Sequence, residues 1–140
     1  MFRYLPLLFV SFDKHITMKI GLDLDGTITR YPEFFSKLTY LWDDEVYIIT
    51  FRPGHRERDE QELDKLGITY TDIIYANKDD DSKAKAIAEL GVEVFWDDMP
   101  EFLVHVDKSV ACFLVRGEHN FDPKNKQFLF TRYTGKLQQN

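Results

Sequence analysis

Blocks of apolar and polar residues alternate along the chain with two different spacings. "MKIGLDL" (18–24) is a short apolar run and reads as a buried strand. "PEFFSKLTYLW" (32–42) has helical spacing, with Pro near its first turn. "EVYIITF" (45–51) is β-branched and aromatic, hence a strand. Residues 54–67 are polar with Leu63 and Leu66 on one face, and Gly67 suits a helix C-cap. "ITYTDIIYA" (68–76) is strand-like or extended. "DSKAKAIAELG" (81–91) is a helix, with Asp81 or Ser82 as N-cap and Gly91 as stop. A strand over 92–98, a helix over 99–107 and a strand over 109–116 complete the alternation. The tail has an extended run from 126 and a turn at Thr134–Gly135.

Strand and helix in regular alternation imply βαβ units. The expected fold is therefore α/β, a three-layer αβα sandwich around a central parallel sheet. Such sheets bind ligands beyond the carboxyl ends of their strands. Those ends carry Asp23 and Asp25, Thr50 and Arg52, Asp97 and Asp98, and Arg116. An acid inside an apolar strand is costly unless something compensates its charge. Several carboxylates at one edge call for a cation, and hard oxygen donors without a cysteine or histidine set point to Mg²⁺.

The same groups suit phosphoryl transfer. A carboxylate at the metal can attack phosphorus, and a second carboxyl two residues on can move the proton. A turn at Gly26 and Thr27 lets backbone N–H groups approach a phosphate. Thr50 can donate a further hydrogen bond. A lysine at a helix N-terminus, Lys83 or Lys85, can hold the anion.

Composition narrows the picture. With 140 residues and 44% hydrophobic content the chain can build one core. A single cysteine, Cys112, excludes an internal disulfide and suits a reducing cytoplasm. The net charge of −6 argues against a nucleic-acid backbone as a structural partner. No run approaches the ~20 apolar residues of a membrane span. Met18 stands directly before the first strand, so residues 1–17 read as an extension or a misassigned start, and 18–140 as one phosphatase domain. A weak export or anchoring signal in 1–17 is the competing reading.

"DLDGT", "YIIT" and "SKAKAIAELGVEVFWDD" together resemble the motifs of the haloacid-dehalogenase-like superfamily of phosphatases, over residues 18–116. The stretch from "IITFRPG" to "FWDDMPE" is similar to its 5'(3')-deoxyribonucleotidase-like subgroup. The resemblance implies Asp23 as nucleophile, Asp25 as general acid/base, Thr50 as phosphate donor and Lys83 as phosphate-neutralising lysine. It implies a Mg²⁺ site of Asp23, the Asp25 carbonyl, Asp97 and Asp98, with Asp97 ahead of Asp98. Gly26, Thr27, Phe51 and Arg52 are the expected substrate contacts. The connections around Thr50 are too short for a cap domain. The implied substrate is a small phosphorylated molecule, nucleotides included, or a phosphorylated polymer end. A partner subunit is one way for an open site to exclude water. The competing functions are a non-catalytic phosphate- or nucleotide-binding module and phosphoryl transfer to an acceptor other than water. His55, Arg56, Arg58 and the "KDDD" run (78–81) read as solvated surface. Arg116 and His119 stand after the last strand as minor candidates for substrate contact.

Overall fold

The computed structural model describes residues 17–128. The expectations for residues 1–16 and 129–137 lie outside them. Strands β1 (Ile20–Leu22), β2 (Val46–Thr50), β3 (Asp72–Tyr75), β4 (Val94–Asp97) and β5 (Ala111–Leu114) form one sheet in the order β3-β2-β1-β4-β5. Every pairing in it is parallel. Helices α1 (Pro32–Leu41), α2 (Arg56–Lys65), α3 (Ser82–Leu90) and α4 (Pro100–Leu103) supply the crossovers. The fold is the expected α/β three-layer sandwich.

Alternation along the strands builds two cores. Ile20, Leu22, Ile48 and Ile73 face Phe35 of α1 and Leu63 of α2. Ile49 and Phe95 face the other way, onto Ile87 of α3, with Leu103 of α4 packed alongside. Helices α1 and α2 therefore cover one face, α3 and α4 the other, as right-handed crossovers require. Pro32 and Pro100 start their helices where a missing N–H costs nothing. Gly91 ends α3 at φ 69°, a left-handed conformation that glycine adopts without strain.

The helix expected over 99–107 is shorter, because the chain turns after Leu103 and leaves Val104 exposed. After β5 a 3₁₀ turn (Glu118–Asn120) leads into a hairpin, β6 (Phe121–Asp122) with β7 (Gln127–Phe128), which the pattern of apolar residues does not announce. Among the described residues no separate cap domain occurs. No helix among them is long and apolar enough to cross a membrane.

Candidate active site

The sheet reverses its order at β1, where chain progression toward β2 and β3 gives way to β4 and β5. A crevice opens at such a point beyond the strand ends. Asp23 follows β1 directly, Asp97 ends β4 and Asp98 comes next in the chain. Ligand atoms of these three carboxylates lie within 4.8 Å of one another, and all three residues are buried.

Lys83 enters this cluster from the first turn of α3. Its Nζ donates to Asp23 Oδ1 at 2.6 Å and to Asp97 Oδ2 at 2.8 Å. The side chain is almost wholly buried, at 2% exposure. Burial alone would lower its pKa, but Asp23 and Asp97 outweigh that and raise it, so the ammonium stays charged. Phe51, Phe102 and Phe95 surround it, with ring centroids 4.8, 5.2 and 6.0 Å from Nζ. Phe51 and Phe102 meet edge to face at 4.7 Å. This aromatic wall excludes water from the lysine and adds cation–π attraction. Lys85, the rival candidate, is exposed and pairs with Asp81 at 3.0 Å.

The remaining oxygens of the cluster are held by local structure. Thr27 Oγ1 donates to Asp23 Oδ2 at 2.9 Å, and the Met99 N–H to Asp97 Oδ1 at 2.9 Å. Asp98 Oδ2 lies 2.9 Å from His119 Nε2. Asn120, itself buried, donates to the Asp98 and Val115 carbonyls at 2.7 and 2.6 Å and fixes the loop that carries His119. Gly26 has φ 81°, and a Cβ there would sit 2.2 Å from Asp98 Oδ2. Glycine is thus required twice over, for the turn and for the approach of the chain to the carboxylate.

The charges do not balance within the chain. Three buried carboxylates meet one lysine. Burial, and then the charge of Asp23, pushes Asp97 up to about 7. Burial, followed by Asp23 and Asp97, pushes Asp98 up to about 9. Burial and the Arg30 charge lower His119, despite Asp23. Without a cation, protons therefore meet part of the excess charge; oxygen donors of this number and spacing could instead hold a hard divalent cation such as Mg²⁺.

Other expected site residues take different places. The Asp25 side chain is exposed, outside the cluster, and bound by Arg52 through both oxygens. Arg52 is an expected substrate contact, but its guanidinium also engages Asp59 at 3.0 Å and Glu62 at 2.5 Å. The hydrogen bonds it donates to Asp25 and then Glu62 raise its pKa further above the ordinary value. Thr50 ends β2, buried, and its hydroxyl accepts the Arg52 N–H at 3.2 Å. The Thr27 hydroxyl is spent on Asp23, and the Gly26 N–H donates to Thr29 Oγ1 at 3.0 Å. Phe51 walls in Lys83. Arg56, read as solvated, pairs with Asp72 and donates to the Ile73 carbonyl, both at 2.9 Å.

Comparison with known proteins corrects the family resemblance. No protein-family model and no curated protein matches the chain. A similar solved structure is a universal stress protein from Archaeoglobus fulgidus, at 17% identity and a TM-score of 0.44, covering 69% of this chain and 93% of that one. That protein is not haloacid-dehalogenase-like, and with no family model or curated protein matching, neither that superfamily nor its deoxyribonucleotidase-like subgroup is retained as the assignment. Short motifs at strand ends constrain few positions, and parallel sheets of unrelated ancestry place acids there for the same physical reason. The grounds for a function in this chain are therefore geometric.

Proposed function

We propose that the chain is a Mg²⁺-dependent phosphomonoester hydrolase working through an aspartyl-phosphate on Asp23. The observation that carries this is the triad of buried carboxylates bridged by Lys83, at the switch point of a parallel sheet. A structural role alone gives no reason to bury three acids around one lysine, since apolar residues would fill the same space at less cost.

Asp23, Asp97 and Asp98 are the residues to hold the cation. A bound Mg²⁺ would offset their charge and that of the phosphoryl oxygens. Thr27 and Lys83 grip the two oxygens of Asp23 and fix the carboxylate for in-line attack on phosphorus. The P–O bond to the leaving group breaks as the bond to Asp23 forms. Lys83, kept charged in its aromatic enclosure, faces the negative charge that develops on the phosphoryl group. Asp25, two residues on at the solvent edge, would take up a proton from solvent once Arg52 releases it, give that proton to the leaving oxygen, and then accept one from the water that hydrolyses the intermediate. A cytoplasmic setting agrees with the single cysteine.

The test is hydrolysis of a chromogenic phosphate ester with and without Mg²⁺. Wild type is expected to turn over only with the cation. Asp23→Asn is expected to lose turnover and keep its fold, because Asp97 remains to pair with Lys83. Full activity of that variant would overturn the nucleophile assignment.

A further inference from the structure

Beside the acid cluster lies a cavity of about 540 Å³ lined by Tyr31, Arg116, Gly117, Glu118, Phe121 and Pro123. Its size suits a small organic group. His119 links this lining to the acid cluster. His119 Nδ1 packs so closely on Gly117 that a Cβ there would lie 2.7 Å from it. The other nitrogen of the same ring touches Asp98 at 2.9 Å. One imidazole therefore borders both Gly117 of the cavity lining and a carboxylate of the proposed metal site.

The lining is aromatic and cationic. The Arg116 guanidinium lies over the Phe121 ring at 4.8 Å, and Arg116 has no acidic partner among the described residues. Tyr31 is 40% exposed, and its hydroxyl donates to the Arg116 carbonyl at 2.7 Å. That bond ties the turn after β1 to the loop after β5. Glu118 stands almost fully exposed at the rim and reaches Arg30 only at 3.6 Å. A planar guanidinium stacked on one ring, with a second ring nearby, favours a flat π-faced group over an aliphatic one.

We infer that this cavity is the leaving-group subsite of the enzyme, and that the preferred substrates are phosphate esters of planar aromatic or heteroaromatic groups. Its assignment to the leaving group rests on the hydrolase reading. Its preference for a planar ring does not.

The experiment compares phenylphosphonate with methylphosphonate, neither of which can be hydrolysed as an ester, binding to the full chain in Mg²⁺ by calorimetry. Wild type is expected to bind the phenyl compound at least about tenfold more tightly, from the ring area buried and its stacking. Arg116→Ala and Tyr31→Leu are each expected to shrink that ratio to within about threefold, whereas Tyr31→Phe, which keeps the ring, retains most of it. Equal affinity of wild type for the two phosphonates, or binding of neither, overturns the inference. Should wild type hydrolyse esters yet show no phenyl preference, the subsite is wrong and the hydrolase reading stands. A phenyl preference lost in Arg116→Ala, in a chain that hydrolyses no ester, supports the ring-binding cavity and sinks the hydrolase reading.

Discussion

The Arg52 guanidinium clasps Asp25 through both carboxylate oxygens, at 2.6 and 2.8 Å, on the solvent side of a site whose other acids are buried. Held there, the carboxylate stands apart from the inner cluster and must leave Arg52 before it can act on a substrate. If it is the proton carrier, removing its charge should cost rate and little else. Asp25→Asn is expected to lower kcat by about 10²–10⁴, the usual contribution of a positioned acid/base. Its thermal transition should stay close to that of wild type, since an exposed ion pair contributes little. A fall in kcat of less than about tenfold would give the proton transfer to another group.

Arg52 itself is a structural hub. Asp59 is fully buried and receives Arg52 at 3.0 Å and the Tyr75 hydroxyl at 2.9 Å. Arg52→Met leaves that carboxylate without its main cation. The expected loss is about 3–5 kcal/mol in urea unfolding, the usual cost of breaking a buried pair from one side. Adding Asp59→Asn should recover part of it, because the stranded charge is gone. A strictly additive double variant would show that the two residues are not coupled.

The same acid sets a pH dependence. Burial works to raise the Asp59 pKa, but the hydrogen bonds of Tyr75 and Arg52 prevail and lower it below the ordinary carboxylate value. The folded chain thus binds its proton less readily than the unfolded one. The stabilisation is complete above the unfolded pKa of about 4 and drains away as pH falls through the folded value. Urea unfolding between pH 6 and pH 3 should show wild type losing stability over this window more steeply than Asp59→Asn. Parallel curves would remove Asp59 from the account.

Much of the site was legible because it follows from topology. Alternating elements implied a parallel sheet, and a parallel sheet gathers Asp23 and Asp97 at one edge however far apart they lie in the chain. Lys83 and Lys85 differ in place as their positions in the helix suggest: the first is buried among the acids, the second pairs with Asp81 at the surface. The enclosure of Lys83 was not legible. Phe51, Phe95 and Phe102 come from separate elements, and each alone reads as core. Nor was the contact of His119 with Asp98, which depends on how the loop after β5 folds back through Asn120. The fate of Arg52 did leave a trace. Asp59, Glu62, Leu63 and Leu66 follow helical spacing, so these acids border the apolar stripe of α2 and face inward. The family resemblance failed for a different reason: motifs encode strand-end chemistry, which unrelated sheets can share.

The charge imbalance around Lys83 leads to the last prediction, which needs no substrate. Folding brings three acids within 4.8 Å of one another, and an unfolded chain has no such arrangement. A divalent cation that binds there binds the folded state alone and stabilises it by mass action, by about 2.7 kcal/mol at a hundredfold excess over Kd. The thermal transition of wild type should therefore climb steadily with Mg²⁺ concentration. Asp97→Asn removes one ligand and leaves Asp23 to hold Lys83 at 2.6 Å, so the variant should fold, and its transition should respond far less to the cation. Because Mg²⁺ also screens surface charge, the same titration with Na⁺ at matched ionic strength is the control. Equal shifts with the two ions, or equal Mg²⁺ responses in wild type and Asp97→Asn, would mean that the carboxylates of Asp23, Asp97 and Asp98 hold no metal.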